Sequence, residues 1–145
     1  MFNQSRIGIY DYLYNIFYDV VTKNVYSMRE PQELSKSDTE DGFIVIYVGD
    51  LYDESEFPRQ AYGWARCHVE AFVPPITRGR LDYDKYKSFE DNINSAISDA
   101  ISNPNGEYHV REDSILSSDG DITTNANNSY FTFIKSFIVD IDEEI

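Results

Sequence analysis

Cysteine and long apolar runs are both scarce in this chain of 145 residues. Cys67 is the only cysteine, so no disulfide can form within the chain, which fits a reducing compartment. No stretch approaches the roughly 20 apolar residues that a membrane helix needs. The N-terminal stretch MFNQSRIGIYDYLYNIFYDVV contains Asp11 and Asp19 and lacks a basic leader and a small-residue cleavage site. We therefore expect a soluble, intracellular protein without a membrane partner.

Positive charge is also in short supply. The chain has 12 Lys and Arg residues against 26 Asp and Glu residues, which gives a formal net charge of −14. Direct wrapping of nucleic acid is disfavoured, because no basic patch is present to displace counterions from phosphates. Three interpretations of the charge stay open: a solvated acidic surface, an acidic channel wall past which DNA slides, and a mimic of DNA.

Catalytic and metal-binding patterns are missing too. His68 and His109 lie in separate predicted strands, and neither has the spaced Cys or His partner that a zinc site needs. Cys67 and His68 are neighbours on one predicted strand, so their side chains point to opposite faces and cannot form a thiolate–imidazole pair. The stretch DGDITTN at 119–125 lacks the residue order of a calcium loop. We expect no enzymatic activity, no metal site and no cofactor.

The apolar pattern predicts a single α+β domain over residues 1–145. Apolar side chains at helical spacing predict one helix over residues 5–22 and another from Asp82 or Asp84 to about Asn103. The order α-β-β-β-α-β-β indicates a mostly antiparallel sheet with two helices packed on one face. The strands are predicted at 24–29, 43–49, 61–73, 107–112 and 129–140.

Two polar segments lie between these elements. Residues 30–41 carry Pro31 and are predicted to form a loop. Residues 113–128 are low in apolar side chains and are predicted to form an extended arm or a hairpin loop. A neighbouring molecule is expected to order such an arm.

The predicted strand 61–73 alternates between small and bulky side chains. Its odd positions are small or apolar, so we predict that Phe89, Ile93 and Ile97 of the second helix pack on that face. Its even positions are bulky and amphipathic, which is typical of a protein interface unless the 113–128 segment covers them. The predicted interface, completed by two arginines of the following loop, consists of Tyr62, Trp64, Arg66, Phe72, Arg78 and Arg80.

An N-terminal helix and an acidic loop are followed by GFIVIYVGD at 42–50, and by YGWARCHVEAFVPP at 62–75. The helix DKYKSFEDNINSAISDAI at 84–101 and two closing strands around a polar arm complete the series. In this order the chain resembles the small ring-forming proteins of tailed bacteriophages, namely the tail terminator and tail-completion family and the related head-to-tail connector rings. The resemblance covers most of the chain. It carries over no functional residue, because the family has no motif to align.

The resemblance implies a non-enzymatic virion component, assembled in the host cytoplasm. Six or twelve copies would form a ring, DNA would pass through its acidic lumen, and its loops would bind neighbouring portal, ring or tail proteins. Two other classes stay open. One is a small acidic binding protein, including a DNA mimic that inhibits a host enzyme, and the other is an enzyme or a domain of non-viral origin.

Overall fold

The computed structural model describes residues 6–53, 60–76, 80–103, 106–125 and 128–144. Within these ranges the chain forms three helices and six strands. A short 3-10 helix, Glu112–Ser114, also lies between the fourth and fifth strands. In chain order the elements are α1 (Arg6–Phe17), β1 (Val25–Ser27), α2 (Lys36–Asp41), β2 (Phe43–Asp53), β3 (Gln60–Val73), α3 (Tyr83–Ser102), β4 (Tyr108–Val110), β5 (Leu116–Asn125) and β6 (Asn128–Glu144).

The six strands form one mixed, mostly antiparallel sheet, which confirms the predicted α+β class. The strand order is β1-β2-β3-β6-β4, and β5 pairs with β6 on the same side as β4. The pairing of β1 with β2 is parallel, and the other strand pairings in the described ranges are antiparallel. The centre of the sheet is the β3–β6 pair, which runs from Gln60↔Glu144 to Val73↔Phe131. The predicted element order is incomplete, because it lacks α2 and β5.

The main hydrophobic core lies between the sheet and the two longer helices. Phe89, Ile93 and Ile97 of α3 are buried against the small face of β3, as the alternation of 61–73 predicts. Small side chains on a strand let a helix approach closely and still exclude water. α3 begins where the carboxylate of its N-cap Asp82 accepts a hydrogen bond of 3.1 Å from the Lys85 backbone N–H. The β3 residues of this core are Ala65, Cys67, Val69, Ala71 and Val73.

The first helix is shorter than the predicted range 5–22. α1 ends at Phe17, and Asp19 adopts a left-handed conformation with φ of 61°. A residue with positive φ does not continue a right-handed helix. The apolar residues Val20 and Val21 prolong the helical pattern in the sequence, although the chain has already turned towards β1.

α2 lies where the sequence analysis expects a loop. Its capping box joins the Ser35 hydroxyl to the Asp38 N–H at 3.1 Å and the Asp38 carboxylate to the Ser35 N–H at 2.9 Å. The buried Asp38 also accepts a hydrogen bond of 2.6 Å from the Tyr26 hydroxyl. A second, smaller hydrophobic cluster lies beside α2, against which Leu34 packs, and it consists of Phe43, Val45, Phe72 and Tyr130.

The polar segment 113–128 contains a strand, not only a loop. β5 pairs with β6 from Leu116↔Ser136 to Asn125↔Asn128, so the two strands form a hairpin. The register shifts between Asp119 and Ile122, which divides β5 into two parts. Polar residues are compatible with this position because β5 is an edge strand, which in the described ranges has a neighbouring strand on one side only.

Candidate protein-interaction surface

One face of the sheet lies away from α1 and α3, and we call its central part the open face. It comprises the even-numbered side chains of β3 from Tyr62 to Glu70, together with Tyr47 and Tyr52 of β2 and Arg111. Arg66 is exposed, whereas Trp64 and His68 beside it are half-buried. Within the described ranges, therefore, this part of the sheet is open to solvent at Arg66 and only partly shielded at Trp64 and His68.

A stacked pair of aromatic rings forms one end of the open face. Tyr52 and Trp64 are cross-strand partners on β2 and β3, and their ring centroids lie 4.5 Å apart. The guanidinium carbon of Arg111 lies 5.8 Å from the centroid of the Trp64 ring, within the range of a cation–π contact. Tyr52 is 50% exposed. Tyr, Trp and Arg side chains of this kind contribute much of the binding energy at protein interfaces.

A buried carboxylate holds Arg111 in place beside this stack. Arg111 donates to Asp140 from Nη2 at 2.6 Å and from Nε at 3.0 Å, and the Tyr62 hydroxyl donates to the same carboxylate at 2.9 Å. The hydrogen bond to Asp140 raises the pKa of Arg111, so its positive charge is secure. Burial raises the pKa of Tyr62, and the hydrogen bond to Asp140 raises it further. The bidentate pair therefore fixes a permanently charged group next to Trp64.

A second stacked pair lies further along β3. The rings of Tyr47 and His68 are 4.4 Å apart and nearly parallel. Burial lowers the pKa of His68, so this imidazole is neutral at neutral pH. Burial also raises the pKa of Glu70, and the negative charge of Glu30 adds to this effect. Arg66 comes between the two stacks along β3 and is the exposed cation of the open face.

Three of the six residues predicted for the interface lie on the same face of the sheet. Tyr62, Trp64 and Arg66 share the open face, as their alternation implies, and their role in an interface stays a prediction. Phe72 has the same parity, but the expectation for it needs correction, because it is only 1% exposed and stacks on Phe43 at 4.5 Å. The reason is that Leu34 and the α2 region fold over this end of the sheet and enclose Phe72 in the second cluster.

The two loop arginines do not join this group in the described structure. Arg80 is exposed, and its carbonyl accepts a hydrogen bond of 2.8 Å from the Ile76 N–H. It follows the C-terminal end of β3, and the strand from Trp64 to Val73 is about 30 Å long at the usual rise per residue. Arg80 is therefore remote from the Tyr52–Trp64 stack. Arg78 lies outside the described residues.

The sequence analysis does not identify four residues that form or support this surface: Tyr47, Tyr52, Arg111 and Asp140. Tyr47 and Tyr52 reach the open face through strand pairing, since they oppose His68 and Trp64. Asp140 opposes both Trp64 and His109. Arg111 follows directly on β4, and its N–H donates to the Ile138 carbonyl. Asp140 interrupts an otherwise apolar strand end, IVDI at 138–141. This charged residue among apolar neighbours is the feature of the sequence that indicates a buried ion pair. A charged residue at such a position is buried only with a partner of opposite charge.

Other kinds of site have less support in the described part of the chain. Within it there is no group of three or more His, Cys, Asp or Glu side chains that could hold a metal ion. Burial raises the pKa of the Cys67 thiol to about 12, so this cysteine is protonated and inert. None of the helices in these ranges is long and apolar enough to cross a membrane. No protein-family model and no curated protein matches the chain.

Proposed function

We propose that this protein is a non-enzymatic structural component of a phage virion. It is a ring-forming head-to-tail connector or tail terminator protein that joins the portal or neck to the tail and lines a conduit for DNA. The observation that carries this proposal is the open face, where two aromatic stacks flank the exposed Arg66. A sheet with α1 and α3 on one side and a fixed aromatic–arginine surface on the other is suited to packing against another protein.

The charge distribution fits assembly from identical acidic subunits. Copies that each carry a net charge of −14 repel one another, so a joint between them needs local positive charge. Arg66, exposed on the open face, provides such charge opposite a neighbour's carboxylates. Charge complementarity of this kind sets register and partner choice more than affinity. The remaining carboxylates are then available for the lumen, where repulsion keeps DNA from adhering as it passes.

The expected partners follow from this arrangement. Copies of the chain form a ring of six or twelve, and its outer surfaces contact neighbouring portal, ring or tail proteins. Assembly takes place in the host cytoplasm, and the finished protein resides in the virion. It has no membrane partner, and it meets DNA only inside the ring.

A double substitution of the open face tests the proposal. Trp64→Ala with Arg66→Glu removes the ring of one stack and reverses the exposed charge, without touching a buried residue of the main core. We expect native circular dichroism and a loss of rings in electron microscopy and analytical ultracentrifugation. The matched control is Tyr83→Ala with Lys23→Glu, which changes an aromatic residue that is 65% exposed and an exposed cation outside the open face.

Two results would count against the proposal. Normal assembly of the open-face variant would remove this surface from the joint. A wild-type chain that remains monomeric or dimeric, and that DNA displaces from a nucleic-acid-binding protein, would favour the alternative of an acidic binding protein. That alternative draws on the net charge of −14, because a DNA mimic presents carboxylates where DNA presents phosphates.

A further inference from the structure

The β1 edge of the sheet is incomplete. β1 pairs with β2 only from Val25↔Ile44 to Ser27↔Ile46, whereas β2 continues to Asp53. In the strand order β1 is the outermost strand on this side. Beyond Ile46, therefore, no strand of the described ranges lies along the outer side of β2.

Two side chains occupy the place of the missing strand at Val48. The Val48 N–H donates to the Met28 thioether sulfur at 3.3 Å, and the Val48 carbonyl accepts from Arg6 Nη2 at 2.7 Å and Nε at 3.1 Å. A thioether is a weak acceptor, so a backbone carbonyl would satisfy this N–H better. Met28 adopts a φ of 68°, a left-handed conformation that is uncommon for a non-glycine residue. The chain thus turns away from β2 as soon as β1 ends.

The same side chains line an open groove of about 470 Å³ between α1 and the strand edge. Its apolar members are conspicuously accessible, since Ile7 is 72% exposed and Met28 is 42% exposed. Lysine, proline or a bulge usually prevents a free strand edge from pairing with another chain. Here the edge is covered only by the flexible side chains of Met28 and Arg6, which an incoming strand can displace. The groove is lined by Arg6, Ile7, Tyr10, Ser27, Met28 and Val48.

We propose that this groove receives β5 of another copy, which extends the sheet across the subunit boundary. In the described ranges β5 pairs with β6 alone, so its other side offers an unpaired strand edge. Its sequence, LSSDGDITTN, contains neither lysine nor proline. The regular part before the register shift, Leu116–Asp119, spans about 13 Å. Main-chain hydrogen bonds provide the affinity in strand addition, and alternate side chains provide the specificity.

The two surfaces match in chemistry as well as in backbone. Leu116 is 62% exposed at the start of β5 and offers an apolar side chain to the groove beside Ile7 and Met28. Because the groove and β5 lie at opposite edges of one sheet, the contact is head-to-tail, and such contacts form a ring when the rotation from copy to copy closes on itself. The inference rests on the proposed function in that the partner is another copy of the chain.

Disulfide trapping between full-length chains tests the contact. Met28→Cys and Leu116→Cys are made in separate chains, mixed and oxidised with copper phenanthroline, and the buried, inert Cys67 remains as a common background. We expect the mixed disulfide to form about 10-fold or more faster than that between Met28→Cys and Tyr83→Cys, because assembly raises the effective concentration. Tyr83 is the matched control, since it is 65% exposed on α3.

A chain that carries both Met28→Cys and Leu116→Cys should give a ladder of covalent oligomers in a non-reducing gel. Equal rates for the two mixtures, in a protein that still assembles by ultracentrifugation, would overturn strand addition but leave the proposed ring intact. A wild-type chain that stays monomeric would overturn both. If Met28→Cys unfolds the protein, Ile7→Cys replaces it, because Ile7 lines the same groove and is 72% exposed.

Discussion

The two faces of β3 separate stability from recognition. On the helix side, Ala65, Cys67 and Val69 are fully buried, and their small size brings α1 and α3 close to the sheet. On the other side, Trp64 and Arg66 remain accessible, and Trp64 is held by its stack on Tyr52 and by the cation–π contact of Arg111 rather than by a covering layer. The same strand thus supports the core with one set of residues and presents a surface with the other. Substitutions on the two faces should therefore differ in kind as well as in size.

The largest effect is expected on the helix face. Ile93 of α3 is fully buried in the main core, so Ile93→Asp places a carboxylate in an apolar layer without a partner. We expect a loss of about 3 kcal/mol or more in the free energy of unfolding, measured by chemical denaturation. Asn94→Asp is the control, because Asn94 is exposed on the same helix and receives the same new side chain. Melting of the Ile93 variant within a degree or two of the parent would show that α3 does not depend on this face.

A smaller effect is expected at the carboxylate beneath the open face. Asp140→Asn keeps the shape of the side chain but removes the charge that holds Arg111 at 2.6 Å. We expect a loss of about 1–3 kcal/mol, accompanied by a change in Trp64 fluorescence, because Arg111 is released from the indole ring. Asp11→Asn, at an exposed position of α1, serves as the control. Unchanged fluorescence together with unchanged stability would mean that Asp140 does not organise the open face.

The sequence allowed these two faces to be distinguished because alternation along a strand is a local property. The parity of residues in β3 correctly placed Trp64 away from the helices, and apolar spacing correctly placed Ile93 towards them. Parity could not show what covers a face, and so Phe72 was assigned to the interface although Leu34 and α2 enclose it. α2 itself was missed despite the Ser35-x-x-Asp38 spacing, because Pro31 and the polar composition of the segment favoured a loop.

The Arg111–Asp140 pair could not be predicted from the sequence for a different reason. Its two members are 29 positions apart and meet only because β4 and β6 pair in one particular register. A change of register by one residue would turn Asp140 towards the helices. Strand register depends on contacts across the whole sheet, which alternation within single strands does not specify. The groove at Val48 depends in the same way on where β1 ends.

The smallest effect is expected from His68, and it depends on pH. Burial lowers the pKa of His68 below its ordinary value of 6.5, so the unfolded chain binds a proton more readily than the folded chain does. As far as His68 is concerned, the free energy of unfolding is therefore constant at pH values above that ordinary pKa. It decreases as the pH falls from the ordinary pKa towards the lower pKa of the folded state. Glu70 on the same face acts in the opposite direction, because burial and Glu30 raise its pKa.

Wild type and His68→Gln should be compared by thermal melting between about pH 7.5 and pH 5. His68→Gln should lose less stability than the wild type on acidification. Parallel curves for wild type and His68→Gln would mean that the Tyr47–His68 stack is open to water, and the contrast between a sealed helix face and a partly shielded open face would become sharper.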